Sequence, residues 1–273
     1  MKKRHILSKA YMSVILILMY VPIFMVIVYS FNESRISSVW RGFTFNWYDE
    51  LWRDKSMWTS LRNSAVLALL SSFAAAVIGT LGASGTMRIR LALKTGMGIR
   101  MQRIVEYLGI LPIMIPEIIL GMVFLAFFSL LGLPLGMLTL VIAHTAFCIP
   151  YVYLLVRARL AGLDKTYIEA ARVLGAGGTR AFYDITLPLL MPAVISGMLL
   201  SFAMSFDDVI ISVFVTGVNT NTLPIKIYSQ LKTGVTPKTN ALCTLLFAVT
   251  VALCAASAYF GGMKHGERTV EKG

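Results

Sequence analysis

A chain of 273 residues that is 57% hydrophobic, with a mean hydropathy of +0.75, carries more apolar side chain than one water-soluble core takes up, so lipid must be the solvent for much of it. The net charge of +12 raises nucleic acid as a partner, but the basic residues are scattered over polar connections between apolar runs and form no motif of a nucleic-acid reader. The three cysteines, Cys148, Cys243 and Cys254, lie inside apolar runs without disulfide or metal spacing and read as small packing residues.

The expected class is an all-α integral membrane protein with six transmembrane helices. After Lys2-Lys3-Arg4-His5, an apolar run over 11–31 is long enough to cross a bilayer. It is too long for a signal peptide, and Val28-Tyr29-Ser30-Phe31-Asn32 offers no small-residue cleavage site, so an uncleaved first span is expected. Residues 32–61 hold all four tryptophans, Trp40, Trp47, Trp52 and Trp58, and suit a membrane interface, with Trp40, Trp47 and Tyr48 read as anchors. Further spans are predicted over 61–86, 107–131, 137–156, 187–215 and 242–262.

Six spans put both termini on one side. Most of the 25 lysines and arginines fall on that side too: Lys2, Lys3, Arg4 and Lys9; Arg88, Arg90, Lys94, Arg100 and Arg103; Arg157, Arg159, Lys165, Arg172 and Arg180; Lys264, Arg268 and Lys272. The positive-inside rule makes it cytoplasmic.

Between the fourth and fifth spans lies a polar island, Tyr167 to Pro188, reading YIEAARVLGAGGTRAFYDITLP. Lys165 to Leu174 are good helix formers with apolar side chains at Tyr167, Ile168, Ala171 and Leu174, which predicts a short amphipathic helix. Gly175, Gly177 and Gly178 should stop it. A second short helix over Arg180 to Tyr183 should precede the span that Pro188 begins. Thr166 and Glu169 have the spacing of a capping box.

An ionisable side chain at a span centre costs about 2.5 to 3.5 kcal/mol, so each needs a reason. Glu117 falls about 15 Å into the third span, and Asp207 and Asp208 about 30 Å beyond Pro188 at 1.5 Å per residue. Each also has a local reading. Glu117 follows Pro116, and Ser205, Asp207 and Asp208 are suited to cap a helix broken near Phe206. With no Lys or Arg well inside the spans, the three acids lack a partner in the chain that a cationic substrate would supply. His144 reads as a hydrogen-bonded packing residue.

The island resembles the EAA loop of ABC importer permeases: Glu169-Ala170-Ala171, then Gly175, then Ile185, Leu187 and Pro188, without a gap. Tyr29-Ser30-Phe31-Asn32, Trp40-x-Gly42-Phe43-Thr44 with Trp47-Tyr48, the segment His144 to Cys148, Ser205-Phe206-Asp207-Asp208, Phe214-Val215-Thr216-Gly217 and Leu223-Pro224 are similar to the second membrane subunit of the spermidine/putrescine class. Ala146 departs from the threonine more usual there. The resemblance implies a type I importer permease: residues 1–59 a first span and extracytoplasmic segment, 60–262 the permease core with its coupling loop at 165–188, and 263–273 a cytoplasmic tail. It implies ATPase coupling through Glu169, Ala170, Ala171, Gly175, Leu187 and Pro188, and a substrate path past Glu117, Asp207 and Asp208. Expected partners are a second homologous permease, two ABC ATPases, an extracytoplasmic polyamine-binding protein and membrane lipid, in the bacterial inner membrane. No cofactor, metal or catalytic residue is expected on this chain. It has no phosphate-binding G-x-x-x-x-G-K-[ST] loop, so ATP and Mg belong to the ATPases.

The same class includes importers of opines and aminoethylphosphonates, and an ion-driven secondary transporter is the rival mechanism. A membrane protease would need Ser84, in Gly82-Ala83-Ser84-Gly85, paired with His144.

Overall fold

A computed structural model describes residues 2–35, 39–92, 96–164, 166–173 and 175–270. They are helical: α1 Lys2–Tyr29, α2 Asn46–Arg53, α3 Lys55–Ala92, α4 Gly96–Met114, α5 Glu117–Leu130, α6 Met137–Ala161, α7 Thr166–Val173, α8 Gly178–Ala181, a π-turn Phe182–Thr186, α9 Leu187–Asp207, α10 Ile210–Val215, α11 Leu223–Thr233 and α12 Pro237–Val270. One antiparallel bridge, Asn32 to Phe43, is the only strand-like pairing among the described residues. The chain divides into two compact units, Met1–Met57 with Ile227–Gly273, and Trp58–Lys226.

By length and composition, four described stretches are apolar enough to cross a membrane: Tyr11–Tyr29, Lys55–Met87, Met137–Ala161 and Gly178–Asp207. The expected third span is not one straight helix. Ile99–Met114 and Glu117–Leu130 meet at 107°, and together make a fifth crossing if the bent pair is one span. The cause is Pro116, which caps α5 in an extended conformation (ψ 132°) that no helix interior tolerates. The expected fifth span is likewise broken, at Asp208, whose ψ of 129° separates α9 from α10. In α12 the described apolar stretch, Pro237–Ala252, is shorter than a full crossing.

In the first unit α12 packs on α1 and α2. The segment after α1 is tied by Asn32: its Nδ2 donates to the Val39 carbonyl (2.8 Å), and its Oδ1 accepts from the Ser34 and Arg41 backbone N–H groups. Trp47 is not the interface anchor expected from sequence. It is buried, and its indole Nε1 donates to the Asn32 carbonyl at 2.6 Å, because a buried indole N–H needs an acceptor. Tyr48 likewise shares a hydrogen bond with Ser30 (2.7 Å). Trp40 and Trp52 are exposed. Lys238 on α12 reaches Asp54 (2.7 Å) and Glu50 (3.4 Å), closing α12 onto the end of α2.

In the second unit the core lies around α6, which packs on α9, α4, α10 and α5. Val152 of α6 is fully buried between glycines of two helices. A Cβ on Gly79 of α3 would stand 2.9 Å from the Val152 Cβ, and one on Gly197 of α9 would stand 3.1 Å from its Cα. Small residues let helices in lipid approach this closely, where packing rather than water exclusion holds them together.

Candidate functional site

The polar island and the intramembrane acids both lie in the Trp58–Lys226 unit. The island begins at Asp164, whose Oδ1 accepts the Thr166 hydroxyl (2.6 Å) and backbone N–H (3.0 Å). Those two donors hold the Asp164 carboxyl below the ordinary carboxylate range. Thr166 is the first helical residue of α7 and Asp164 accepts its free backbone N–H, while the expected box with Glu169 falls outside the described residues. Glu169 is on the helical backbone of α7, but its side chain, like Lys165 and Leu174 as a whole, lies outside the described residues. Ala170 is exposed and Ala171 buried.

Gly175 ends the helix as the sequence predicts. Its φ of +83° puts it in the left-handed region, and the Ala176 N–H returns to the Ala171 carbonyl at 2.9 Å, the long bond of a Schellman closure. Beyond it the structure departs from expectation. There is no separate second helix: Gly178–Asp207 runs as 30 continuous residues, interrupted only in pitch by the π-turn Phe182–Thr186. Pro188 has no N–H for the Asp184 carbonyl, and the widened turn falls where that bond is missing. Leu187 is half-buried, Pro188 exposed, and the Arg159 Nε donates to the neighbouring Leu189 carbonyl (3.4 Å), tying α6 to this end of α9.

Among the acids, Glu117 is the first residue of α5, half-buried, at the positive end of the helix restarted after Pro116. Asp207 closes α9 and is exposed; Asp208 is buried. α10 packs on α5, with Gly121 against the Phe214 ring, so the α4–α5 break and the α9–α10 break belong to one packed helix pair. Asp208 is also the cap that sequence considerations allowed. Its Oδ1 accepts the Ile211 N–H (3.3 Å), and its Oδ2 accepts the Ser212 N–H and hydroxyl (both 2.9 Å), satisfying free donors in the first turn of α10.

His144, read from sequence as a packing residue, is fully buried, and both its ring nitrogens have partners. Nδ1 meets Ser205 Oγ of α9 at 2.8 Å, and Nε2 meets Ser212 Oγ of α10 at 3.0 Å and lies 3.4 Å from Asp208 Oδ2. Ser205 in turn pairs with Ser71 of α3 (2.9 Å) rather than capping α9. A continuous buried chain therefore runs Ser71, Ser205, His144, Ser212, Asp208, joining α3, α9, α6 and α10. Ser71 and Ser212 were not legible as site residues in sequence. Nothing local distinguishes a serine that bonds its own helix from one that reaches another. Ser84 and His144 are not paired as a protease would need: the His144 ring is engaged by Ser205 and Ser212, and the buried Ser84 Oγ has no hydrogen-bond partner among the described residues. No cluster of potential metal ligands occurs among the described residues.

The family model described as "binding-protein-dependent transport system inner membrane component" matches residues 89–262. The sequence is 37% identical to the spermidine/putrescine transport system permease protein PotC of Haemophilus influenzae, over 93% of this chain and 96% of that protein. It is 39% identical to PotC of Escherichia coli K12 (92% of each). It is 38% identical to the putrescine transport system permease protein PotI of the same strain (84% of this chain, 81% of that one). Among solved structures, a chain of a bacterial ABC transporter involved in import of the acidic polysaccharide alginate superposes with a TM-score of 0.72 at 16% identity, covering 95% of this chain and 97% of that one.

Proposed function

This chain belongs to the binding-protein-dependent transport system inner membrane component family, and from that premise we propose that it is the membrane-spanning permease subunit of an ATP-driven polyamine importer of the spermidine/putrescine class. The observation that carries this reading is end-to-end similarity, near 40% identity over 92% of the chain, to permeases that are named for those substrates. It is a multi-pass protein of the bacterial inner membrane.

The finer organisation follows from the sequence. The bent pair α4–α5 and the α12 stretch complete six spans, and the basic residues keep both termini in the cytoplasm. The EAA loop then faces the ATPases: α7, with Glu169, Ala170 and Ala171, is the docking element, and Gly175 sets its angle. Leu187 and Pro188 start the helix that receives the movement. ATP and Mg are held by two ABC ATPase subunits, a second homologous permease completes the pathway, and an extracytoplasmic polyamine-binding protein delivers the substrate. Glu117 and Asp207 offer the negative charge that draws the ammonium groups, and Asp208 adds to that field while bonded inward.

The test is uptake by membrane vesicles holding the assembled complex. Radiolabelled spermidine should enter with ATP and keep entering when an uncoupler collapses the proton gradient. Uptake that follows the gradient instead of ATP sinks the reading. Glu169→Lys should abolish ATP-driven uptake at unchanged protein level, and full coupling in that variant removes the assigned role of the loop.

A further inference from the structure

Replacing a buried polar chain by apolar groups of the same shape generally costs little, so a polar chain that spans four helices calls for a use beyond adhesion. Here its members are almost completely withdrawn from solvent: Ser71, His144 and Ser212 are 0% exposed, Ser205 2% and Asp208 8%. Its end, Asp208, stands at the one break in the 187–215 segment, and the next residue back, Asp207, is exposed.

Donor and acceptor roles fix the direction of the chain near that break. Asp208 Oδ2 accepts the Ser212 hydroxyl proton, so Ser212 Oγ is left as an acceptor and His144 Nε2 must carry the hydrogen that faces it. The same N–H lies 3.4 Å from Asp208 Oδ2. His144 is in turn held through Nδ1 by Ser205, and α6 is braced against α9 one turn away by Cys148 and Ser201, each donating to the other's carbonyl at 3.5 Å. Asp208 therefore accepts from α10 on one side and is steadied from α6 on the other, which fixes the backbone turn that follows Asp207.

We propose that His144 is a positioning residue for substrate recognition: through Ser212 and Asp208 it fixes the α9–α10 break, and so the placement of Asp207 relative to Glu117, without touching the substrate itself. This rests on the reading of the chain as a polyamine permease.

The experiment is the initial rate of ATP-driven spermidine uptake by the assembled complex, resolved into KM and maximal rate per assembled complex. His144→Leu should raise KM about tenfold, the scale of a lost buried hydrogen bond to a charged group, with the maximal rate held within about twofold. His144→Gln, whose amide can still donate toward Ser212 and Asp208, should return KM to within about threefold of the unmodified complex. In an Asp208→Asn background His144→Leu should change KM by less than about twofold, because the route it acts through is already gone.

A loss of total uptake in proportion to assembled complex, with KM unchanged, overturns the proposal in favour of simple packing. Multiplying effects of the two substitutions overturn it equally. If His144→Leu does not assemble, Ser212→Ala carries the test: it should raise KM, and His144→Gln should add less than about twofold on top. A complex that takes up no spermidine before any substitution sinks both this proposal and the reading beneath it, whereas normal uptake with an unmoved KM sinks this proposal alone.

Discussion

Arg157 Nη2 of α6 lies 3.1 Å from Glu106 Oε2 of α4, and Gln102 donates to the other Glu106 oxygen at 2.7 Å. The glutamate is largely buried and the arginine is 43% exposed, so part of the attraction is screened. Glu106→Gln should therefore lower the stability of the purified complex by only about 1 kcal/mol or less, and thermal unfolding should show the difference shrinking as salt rises. An equal loss at high salt would mean that the pair acts through packing rather than charge.

The two glycines around Val152 lead to a larger effect. Gly197→Ala puts a methyl group 3.1 Å from the Val152 Cα, a backbone atom that cannot swing aside, and Gly79→Ala meets the Val152 Cβ at 2.9 Å. Each should cost about 1 to 3 kcal/mol through overpacking, read as a lower unfolding temperature in detergent. Gly85→Ala, with open space around the added Cβ, is the control and should shift it little.

Gly175 makes the opposite case. Nothing lies within 4 Å of a Cβ added there, so any effect of Gly175→Ala comes from its φ of +83° alone. The expected cost is about 1 kcal/mol, with Gly175→Asn milder because asparagine enters the left-handed region more readily. Limited proteolysis of the 164–178 segment should rank glycine most resistant, then asparagine, then alanine.

Thr80 is buried, lines an open apolar cleft of about 370 Å³ between α3 and α9, and its hydroxyl has no hydrogen-bond partner among the described residues. Thr80→Val keeps the shape and removes an unsatisfied group, so it should be neutral or stabilising by up to about 1 kcal/mol. A clear loss of stability would reveal a partner for the hydroxyl in the assembled complex.

Asp164 sets a pH dependence of known sign. Its folded pKa lies below the unfolded one, so the capping contribution is fully present above the unfolded value and is lost as pH falls through the folded value. The protection factor of the Thr166 amide, its exchange relative to the intrinsic rate at the same pH, should be higher at neutral pH and fall once the medium is acidic enough to protonate Asp164. In Asp164→Asn the acid-dependent step should vanish.

How far the sequence was legible depended on whether a signal was local. The stop at Gly175, the placement of Glu117 behind Pro116, and the cap at Asp208 are set by residues within one turn of the event, and all three were readable. The partners of His144 were not, because Ser205 is 61 positions away and Ser71 is a further 134 from Ser205. A helix that is apolar all round also gives no stripe to say which side faces a neighbour, and so the burial of Val152 and of the serines had no periodic trace. Trp47 was misread for a related reason: tryptophan enrichment at interfaces is a tendency of composition, whereas its buried indole answers to one carbonyl, that of Asn32.

The unbroken stretch from Gly178 to Asp207 is a rod of about 45 Å at 1.5 Å per residue. Tilting such a rod by about 5° swings its far tip by roughly 4 Å, more than the ~3 Å span of a hydrogen bond. A nudge near Arg180 too slight to repack its own surroundings is thus ample to carry Asp207 further than the length of a hydrogen bond. The polypeptide carries a mechanical amplifier in a single helix.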